Sequence, residues 1–421
     1  MRYFRHIIFA LSTLILSGVL FSAGCETAAP AFECNDPIGC VDLAADEPMK
    51  IGVLQALSGK IATLGQEQIR GLELALDDRQ GKILNHLVVL QIEDTGCTAE
   101  GGANAALKII ADPKHIAILG TTCSGAAATA AKAMSEAGLT MVSGNNSAPF
   151  LTSIADKRAP SWQSGYFRTA ENEENSGKAA AIYAYEKLGI RRTATINDGD
   201  IYTKGLTDGF NNAFLDLGGN VVLDAAINKG DNQMGPILTA VMNAKAQLLF
   251  FPLFQPEANH ILFQAHEIPE FKDIALMGGG ALIDSSFLDA VGQKGKGMYF
   301  VGPSSHEGKE VDLMEQKYTD KYKTSPSVFY FLNAYDAATL LFNGIEKSAV
   351  TDDDGVMHIG RQTLRDTLYA TRQFNGVTGR LSCNEFGDCA IPMFTVFQLE
   401  SISAGLKGLK ENVKFTYSPG K

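Results

Sequence analysis

The sequence predicts an α/β protein built from two doubly wound, mainly parallel sheets. Three observations carry this prediction: short apolar runs alternate with longer amphipathic segments, this alternation starts a second time along the chain, and 421 residues can form two or three domains. Strands that alternate with helices form βαβ units, whose strands lie parallel in one sheet. With 45% hydrophobic and 20% charged residues, the composition excludes disorder over most of the chain.

The first alternation begins at Met49. Its predicted strands and helices are strands 51–55, 87–92, 115–119 and 139–142, with helices 66–79, 103–110 and 125–137. The second alternation contains helices 176–187, 204–217, 236–244 and 257–266, with strands 193–197, 221–227, 248–252 and 274–277. Residues 159–169 separate the two sets and are interpreted as a crossing between lobes. Two such sheets leave a cleft, and ligands bind beyond the carboxyl ends of parallel strands.

The charge and the motifs favour a binding protein over an enzyme. A formal net charge of −11 without a basic block argues against nucleic acid, because phosphates require Lys and Arg. No nucleophile elbow, phosphate loop or zinc-protease helix motif is present, and the Gly278-Gly279-Gly280 run does not match a dinucleotide fingerprint. We therefore expect no catalytic residues, no cofactor and no bound metal.

The N-terminus has the form of an export signal. Arg2 and Arg5 precede an apolar stretch at 7–21 that is too short to span a bilayer comfortably, and small residues lead to Cys25. This arrangement resembles a bacterial lipoprotein signal, which predicts that residues 1–24 are removed and that Cys25 carries lipid. The alternative is ordinary cleavage that leaves Cys25 as a free thiol. Residues 25–48 are polar and aperiodic, as expected for a flexible tether.

The remaining six cysteines predict three disulfides, because an exported protein meets an oxidising compartment. Two pairs lie close in sequence, and the other two cysteines remain for each other: Cys34 with Cys40, Cys383 with Cys389, and Cys97 with Cys123. The alternative is a metal site. Structural zinc usually needs cysteines two to four residues apart, and no pair has that spacing.

Several stretches together carry a family resemblance. They are 51–59, 93–97, 120–124, 142–149, 167–169, 333–337 and 376–379, the last together with Gly387-Asp388. In their order and spacing the chain resembles the periplasmic solute-binding proteins of ABC transporters, of the leucine/isoleucine/valine-binding type, from about residue 49 to 399. The resemblance also implies a bond between Cys97 and Cys123.

This resemblance implies the type I periplasmic-binding-protein fold, with a three-strand hinge between the lobes. Lobe 1 would comprise 49–168 and 303–373, and lobe 2 would comprise 169–302 and 374–421. A small solute would bind between the lobes, which close by hinge rotation, and the closed receptor would dock on an ABC permease. The protein would then lie in the periplasm or on the cell surface, held to the membrane by its lipid. The alternatives are a ligand sensor for a signalling partner and an exported α/β enzyme.

The residues after two predicted strands form a candidate anion site. Thr122 and Ser124 stand where a strand ends and a helix begins, so free backbone N–H groups can face a ligand there. Ser147 stands in a similar turn. The resemblance implies that Ser124 and Ser147 hold a ligand carboxylate and that the Asn145 carbonyl faces an ammonium group. Each serine could instead be a helix cap that touches no ligand.

Two aromatic residues are expected to close the site from lobe 2. The resemblance implies this role for Tyr202 and Phe254, whereas a core position is the alternative for Phe254. The chain also departs from the family pattern, with Leu64 in place of an aromatic residue. Gly280 stands where amino-acid binders carry an acid for the ligand ammonium. Either another acid, such as Asp198 or Glu257, replaces it, or the ligand has no α-ammonium group.

Overall fold

The computed structural model describes residues 32–419, and Cys34 onward forms one compact unit. Its α-helices are α1 (Ala62–Asp77), α2 (Ala99–Ile110), α3 (Ser124–Glu136), α4 (Glu174–Ile182), α5 (Ile201–Asp216), α6 (Gly235–Asn243), α7 (Glu257–Ala265), α8 (Ser285–Val291), α9 (Lys309–Tyr322), α10 (Tyr330–Ser348), α11 (Arg361–Tyr369) and α12 (Gly405–Glu411). Its strands are β1 (Cys40–Leu43), β2 (Met49–Gln55), β3 (Lys82–Ile83), β4 (His86–Asp94), β5 (His115–Gly120), β6 (Thr140–Ser143), β7 (Ser153–Ile154), β8 (Lys157–Arg158), β9 (Tyr166–Arg168), β10 (Arg192–Asn197), β11 (Asn220–Ala226), β12 (Leu248–Phe250), β13 (Ala275–Gly278), β14 (Tyr299–Pro303), β15 (Ala349–Thr351), β16 (Met357–Gly360), β17 (Phe374–Gly376), β18 (Gly379–Leu381), β19 (Phe394–Gln398) and β20 (Val413–Tyr417).

The first alternation forms a six-stranded sheet in the order β3-β4-β2-β5-β6-β9. Strands β4, β2, β5, β6 and β9 run parallel, and β3 adds a short antiparallel hairpin. β5 is buried along its whole length, as expected for a central strand with helices on both faces. The parallel sheet predicted for this part of the chain is confirmed.

The second alternation forms a seven-stranded sheet in the order β11-β10-β12-β13-β14-β19-β20. Its first five strands are parallel, and four of them match predicted strands, whereas β14 was not predicted. Two further strands that were not predicted, β19 and β20, complete one edge in antiparallel orientation. They lie outside any βαβ repeat, so the alternation that revealed the other strands is missing there.

Small residues bring α2 and α3 close together beside the first sheet. A Cβ placed on Gly102 would lie 2.2 Å from the carbonyl oxygen of Ala126, so the two backbones touch where Gly102 has no side chain. The disulfide between Cys97 and Cys123 joins the segment before α2 to the residue before α3. The start of α3, which carries Ser124, is therefore held firmly against its neighbours.

The chain passes between the two sheets three times, at 169–173, 304–308 and 390–393. Arg168, at the end of β9, is fully buried, and its Nε lies 2.6 Å from Asp388 Oδ1. Asn172 also donates a hydrogen bond to Asp388. This ion pair thus joins the first connecting segment to the stretch that leads into the third.

Two predicted boundaries are wrong. Residues 25–48 are not a tether throughout, because β1 pairs with β16 and Asp36 accepts hydrogen bonds from Thr363. The third crossing does not begin at residue 374. Leu381 packs in the core of the first sheet, and the Asp336 carboxylate accepts hydrogen bonds from the backbone of Val377 and Thr378. Both segments lacked helical or strand periodicity, and tertiary contacts order them.

The cysteines join in the three predicted pairs: Cys34–Cys40, Cys97–Cys123 and Cys383–Cys389. Within residues 32–419, no helix is long and apolar enough to cross a membrane. The same part of the chain contains no cluster of three or more potential metal ligands. The predicted signal peptide and Cys25 lie outside the described residues.

Candidate ligand-binding site

A small cavity lies between the two sheets. Both lobes contribute to its lining: Leu64, Thr122, Ser124, Asn145, Ser147, Tyr202, Phe254, Ala281 and Tyr330. The structure thus brings together all six residues that were predicted from the sequence to bind a ligand.

The first lobe supplies the start of α3 directly after β5. The Ser124 hydroxyl accepts a hydrogen bond from the Ala148 backbone N–H at 3.3 Å and still has its own proton to donate. The Thr122 hydroxyl donates to Gln55 at 2.7 Å and accepts from the Ala56 N–H at 2.9 Å. Thr122 therefore holds the wall of the cavity through its side chain, while Ser124 remains able to donate to an anion.

The turn after β6 supplies the neighbouring wall. The Asn145 side-chain amide donates to the carbonyl of Thr122 at 2.7 Å, which fixes one strand end against the other. The Ser147 hydroxyl donates to Oε2 of Glu173 at 2.8 Å. The Ser147 proton is thus directed toward a buried acid, which the sequence analysis did not identify as part of the site.

The second lobe closes the cavity with aromatic rings. Tyr202 lies at the start of α5, where the Asp200 side chain caps the helix. The ring centroids of Tyr202 and Phe254 are 5.1 Å apart, and the Tyr202 hydroxyl accepts a hydrogen bond from the Ala281 N–H at 3.2 Å. Phe254 is 8% exposed and lines the cavity, so it is both packed and within reach of a ligand.

Two acids in the first connecting segment are buried, and one of them, Glu173, contacts Ser147 in the wall of the cavity. Burial raises the pKa of Glu173 to about 7 and the pKa of Glu171 to about 8. Glu171 Oε1 lies 3.7 Å from Nε2 of His306, whose pKa burial lowers to about 4, so this imidazole is neutral at pH 7. Three acids among 171–174, directly after a predicted crossing, were the sequence signal for this cluster.

The acids suggested as replacements at Gly280 have other partners. Asp198 accepts hydrogen bonds from Thr203 and from the Asp200 backbone, and neither it nor Glu257 lines the cavity. Glu257 accepts a hydrogen bond from the Gly230 N–H at 2.6 Å. Asp198 and Glu257 are therefore held by other partners in this structure, which does not favour either of them as the replacement acid.

Gly280 itself lies where a side chain would meet the site. A Cβ placed on it would be 2.9 Å from the Tyr330 hydroxyl and 3.4 Å from Glu173 Oε1. Tyr330, at the start of α10, also lines the cavity and was not predicted. Glu173 and Tyr330 thus occupy the space into which an acid at position 280 would project.

Comparison with known proteins identifies this architecture. The family model described as "Periplasmic binding protein" matches residues 48–399. The chain is 27% identical to the Leu/Ile/Val-binding protein BraC3 of Rhizobium johnstonii, over 85% of this chain and 93% of that protein.

Two solved structures share the fold. The leucine-binding protein LivK of Thermotoga maritima superposes with a TM-score of 0.75 at 23% identity, covering 88% of this chain and 99% of that one. A solute-binding protein of an ABC transporter from R. palustris, in complex with benzoate, superposes with a TM-score of 0.71 at 22% identity, covering 88% and 96%. With a cavity lined from both sheets and a family match over most of its length, the chain belongs to the periplasmic binding protein family and is similar throughout to its leucine/isoleucine/valine-binding type.

Proposed function

We propose that the protein is the extracytoplasmic substrate-binding lipoprotein of an ABC importer. It captures a small amino-acid-like or carboxylate solute between its two lobes. The observation that carries this proposal is the cavity, which both lobes line and which contains Ser124, Ser147 and Tyr202. The family consists of solute-binding proteins, so the chain is not an enzyme.

The chemistry of the cavity supports a ligand with a carboxylate. The Ser124 hydroxyl can donate to an anion, and the first N–H groups of α3 have no partner within the helix. Opposite them, the rings of Tyr202 and Phe254 can cover an apolar part of the solute. The names of similar proteins include two such classes, since BraC3 is named a Leu/Ile/Val-binding protein, LivK a leucine-binding protein, and the R. palustris protein is in complex with benzoate.

The importer role requires attachment to a membrane and a permease. In this proposal the signal of residues 1–24 directs export, and lipid on Cys25 keeps the receptor at the membrane surface. More than one acyl chain is needed for durable anchoring. The closed receptor then docks on the permease and releases its solute there.

A thermal-shift screen of the mature protein tests the binding role. The panel contains the common amino acids, their amides, benzoate, 3,4-dihydroxybenzoate and aliphatic carboxylates. A ligand present at 100 times its Kd stabilises the folded state by about 2.7 kcal/mol, so we expect at least one compound to raise Tm by several degrees. The absence of any shift across amino acids and carboxylates would contradict the proposal.

A further inference from the structure

We infer that Glu173 receives the ammonium group of the solute, and that the solute is therefore a small amino carboxylate rather than an amine-free acid. This inference rests on the proposed function and names the ligand class of the same site. It begins from the geometry around Gly280, where the expected acid is absent and another acid is adjacent.

Glu173 is a buried carboxyl group with only half of its hydrogen-bonding capacity used. Glu173 is 1% exposed, and its Oε2 accepts a hydrogen bond from the Ser147 hydroxyl at 2.8 Å. Oε1 has no hydrogen-bond partner among residues 32–419. A buried carboxylate oxygen without a donor is costly, so a donor supplied by the ligand would be strongly favoured.

Glu173 lies behind residues that line the cavity. Its Oε1 is 3.4 Å from where a Cβ on Gly280 would stand, and its Oε2 accepts a hydrogen bond from Ser147, which lines the cavity. Burial raises the pKa of the Tyr202 and Tyr330 hydroxyl groups, which also line the cavity, and the negative charge of Glu173 adds to this effect. Glu173 is therefore a buried acid beside the position at which Gly280 leaves the expected acid absent.

No cation donates a hydrogen bond to Glu173 among the described residues. The charge of Arg168 acts on Glu173, but Arg168 pairs with Asp388 and donates to the backbone carbonyl of Ala148 at 2.9 Å. The other titratable groups that face this region are Glu171, Tyr202, Tyr330 and, beyond Glu171, the neutral His306. None of them supplies a positive charge at pH 7, whereas a ligand ammonium would.

The same arrangement is compatible with a glycine at position 280. A Cβ there would lie 2.9 Å from the Tyr330 hydroxyl, which is closer than carbon and oxygen normally approach, so a larger side chain would displace the Tyr330 ring. The acid expected in the loop after β13 is absent, and Glu173 in the segment before α4 would take its role. An amine-free acid such as benzoate would leave Oε1 of Glu173 without a donor and would bring a second negative charge to the site.

Matched ligand pairs test this inference. Leucine, valine and phenylalanine are each titrated by calorimetry against the analogue in which a hydroxyl or a hydrogen replaces the amine, together with benzoate, at pH 8. For wild-type protein we expect at least one amino acid to bind more than about tenfold more tightly than its amine-free partners, as a charge-assisted hydrogen bond requires. In Glu173→Gln this preference should shrink to about twofold or less.

Glu171→Gln is the matched control, since it removes a second buried acid two residues away and should keep the preference. A folded Glu173→Gln protein with an unchanged preference would overturn the inference, and so would tighter binding of amine-free acids by the wild type. Either result would leave the receptor function intact. Failure of every amino acid and carboxylate to bind would instead contradict the proposed function as well.

A measurement on the wild type keeps the test independent of any variant. Because Glu173 must be ionised to hold an ammonium group, and its pKa is about 7, the preference for the amino acid should fall as the pH drops from 8 to 5.5. The binding of the amine-free partner has no such requirement. A preference that stays constant over this range would contradict the inference.

Discussion

At the scale of single residues, Glu173 couples the stability of the protein to pH. Its pKa is about 7 in the folded state, because burial disfavours the charged form, and 4.5 is the ordinary value for the unfolded chain. Below pH 4.5 the group is protonated in both states. Between pH 4.5 and 7 only the unfolded state gives up the proton, so the stabilising contribution of the neutral acid is lost as the pH rises through about 7.

Glu173→Gln should therefore stabilise the protein at pH 8 relative to wild type, and should do so less at pH 5. We expect a difference on the order of 1–3 kcal/mol between the two pH values, measured by urea unfolding without added ligand. The exposed Glu186→Gln substitution serves as control and should show no such difference. An effect of Glu173→Gln that is equal at pH 5 and pH 8 would contradict this explanation.

The family resemblance, together with the ends of two strands, predicted most of the candidate site but not Glu173. Ser124 and Ser147 were identifiable because each follows a strand in a turn. Glu173 stands in a connecting segment whose acids were visible in the sequence, but their burial was not. The contact that helps to bury Glu173 is with Ser147, 26 residues away, which no local pattern reports.

At the scale of elements, the buried ion pair of Arg168 with Asp388 joins the end of β9 to the stretch before the third connecting segment. Burial alone would raise the pKa of Asp388, but the Arg168 guanidinium, together with hydrogen bonds from Thr152 and Asn172, outweighs this effect and holds the pKa below its usual range. The motif Phe167-Arg168-Thr169 and the pair Gly387-Asp388 were both visible in the sequence, but their contact was not. The two residues are 220 positions apart, so the local periodicity of the sequence cannot predict that they pair.

Arg168→Leu should destabilise the protein by about 3–5 kcal/mol, because Asp388 would remain buried and charged without its partner. Chemical denaturation measures this loss, and the double variant Arg168→Leu/Asp388→Leu should recover part of it. The exposed pair of Lys204 with Asp208 provides the control, since Lys204→Ala should cost less than about 1 kcal/mol. Equal costs for the two single variants would refute the structural role of the buried pair.

At the scale of the whole molecule, the repeated strand–helix alternation was sufficient to predict two parallel sheets with a cleft between them. It was not sufficient for the last third of the chain, where helices α9 to α12 and the antiparallel pair β19–β20 follow no simple repeat. The ordering of β1 by its partner β16 was also beyond reach, because it depends on a contact across more than 300 residues. In these parts of the chain the secondary structure depends on long-range pairing rather than on local propensity.

One small solute should be held by both lobes at once. Calorimetric titration of the ligand that gives the largest thermal shift measures this, with wild type, Ser124→Ala from the first lobe and Tyr202→Ala from the second. Tyr185→Ala, a ring outside the cavity, is the control. We predict one ligand per chain and a loss of affinity of about tenfold or more in each of the two site variants, with the control unchanged. Wild-type affinity in either folded site variant would contradict binding between the lobes.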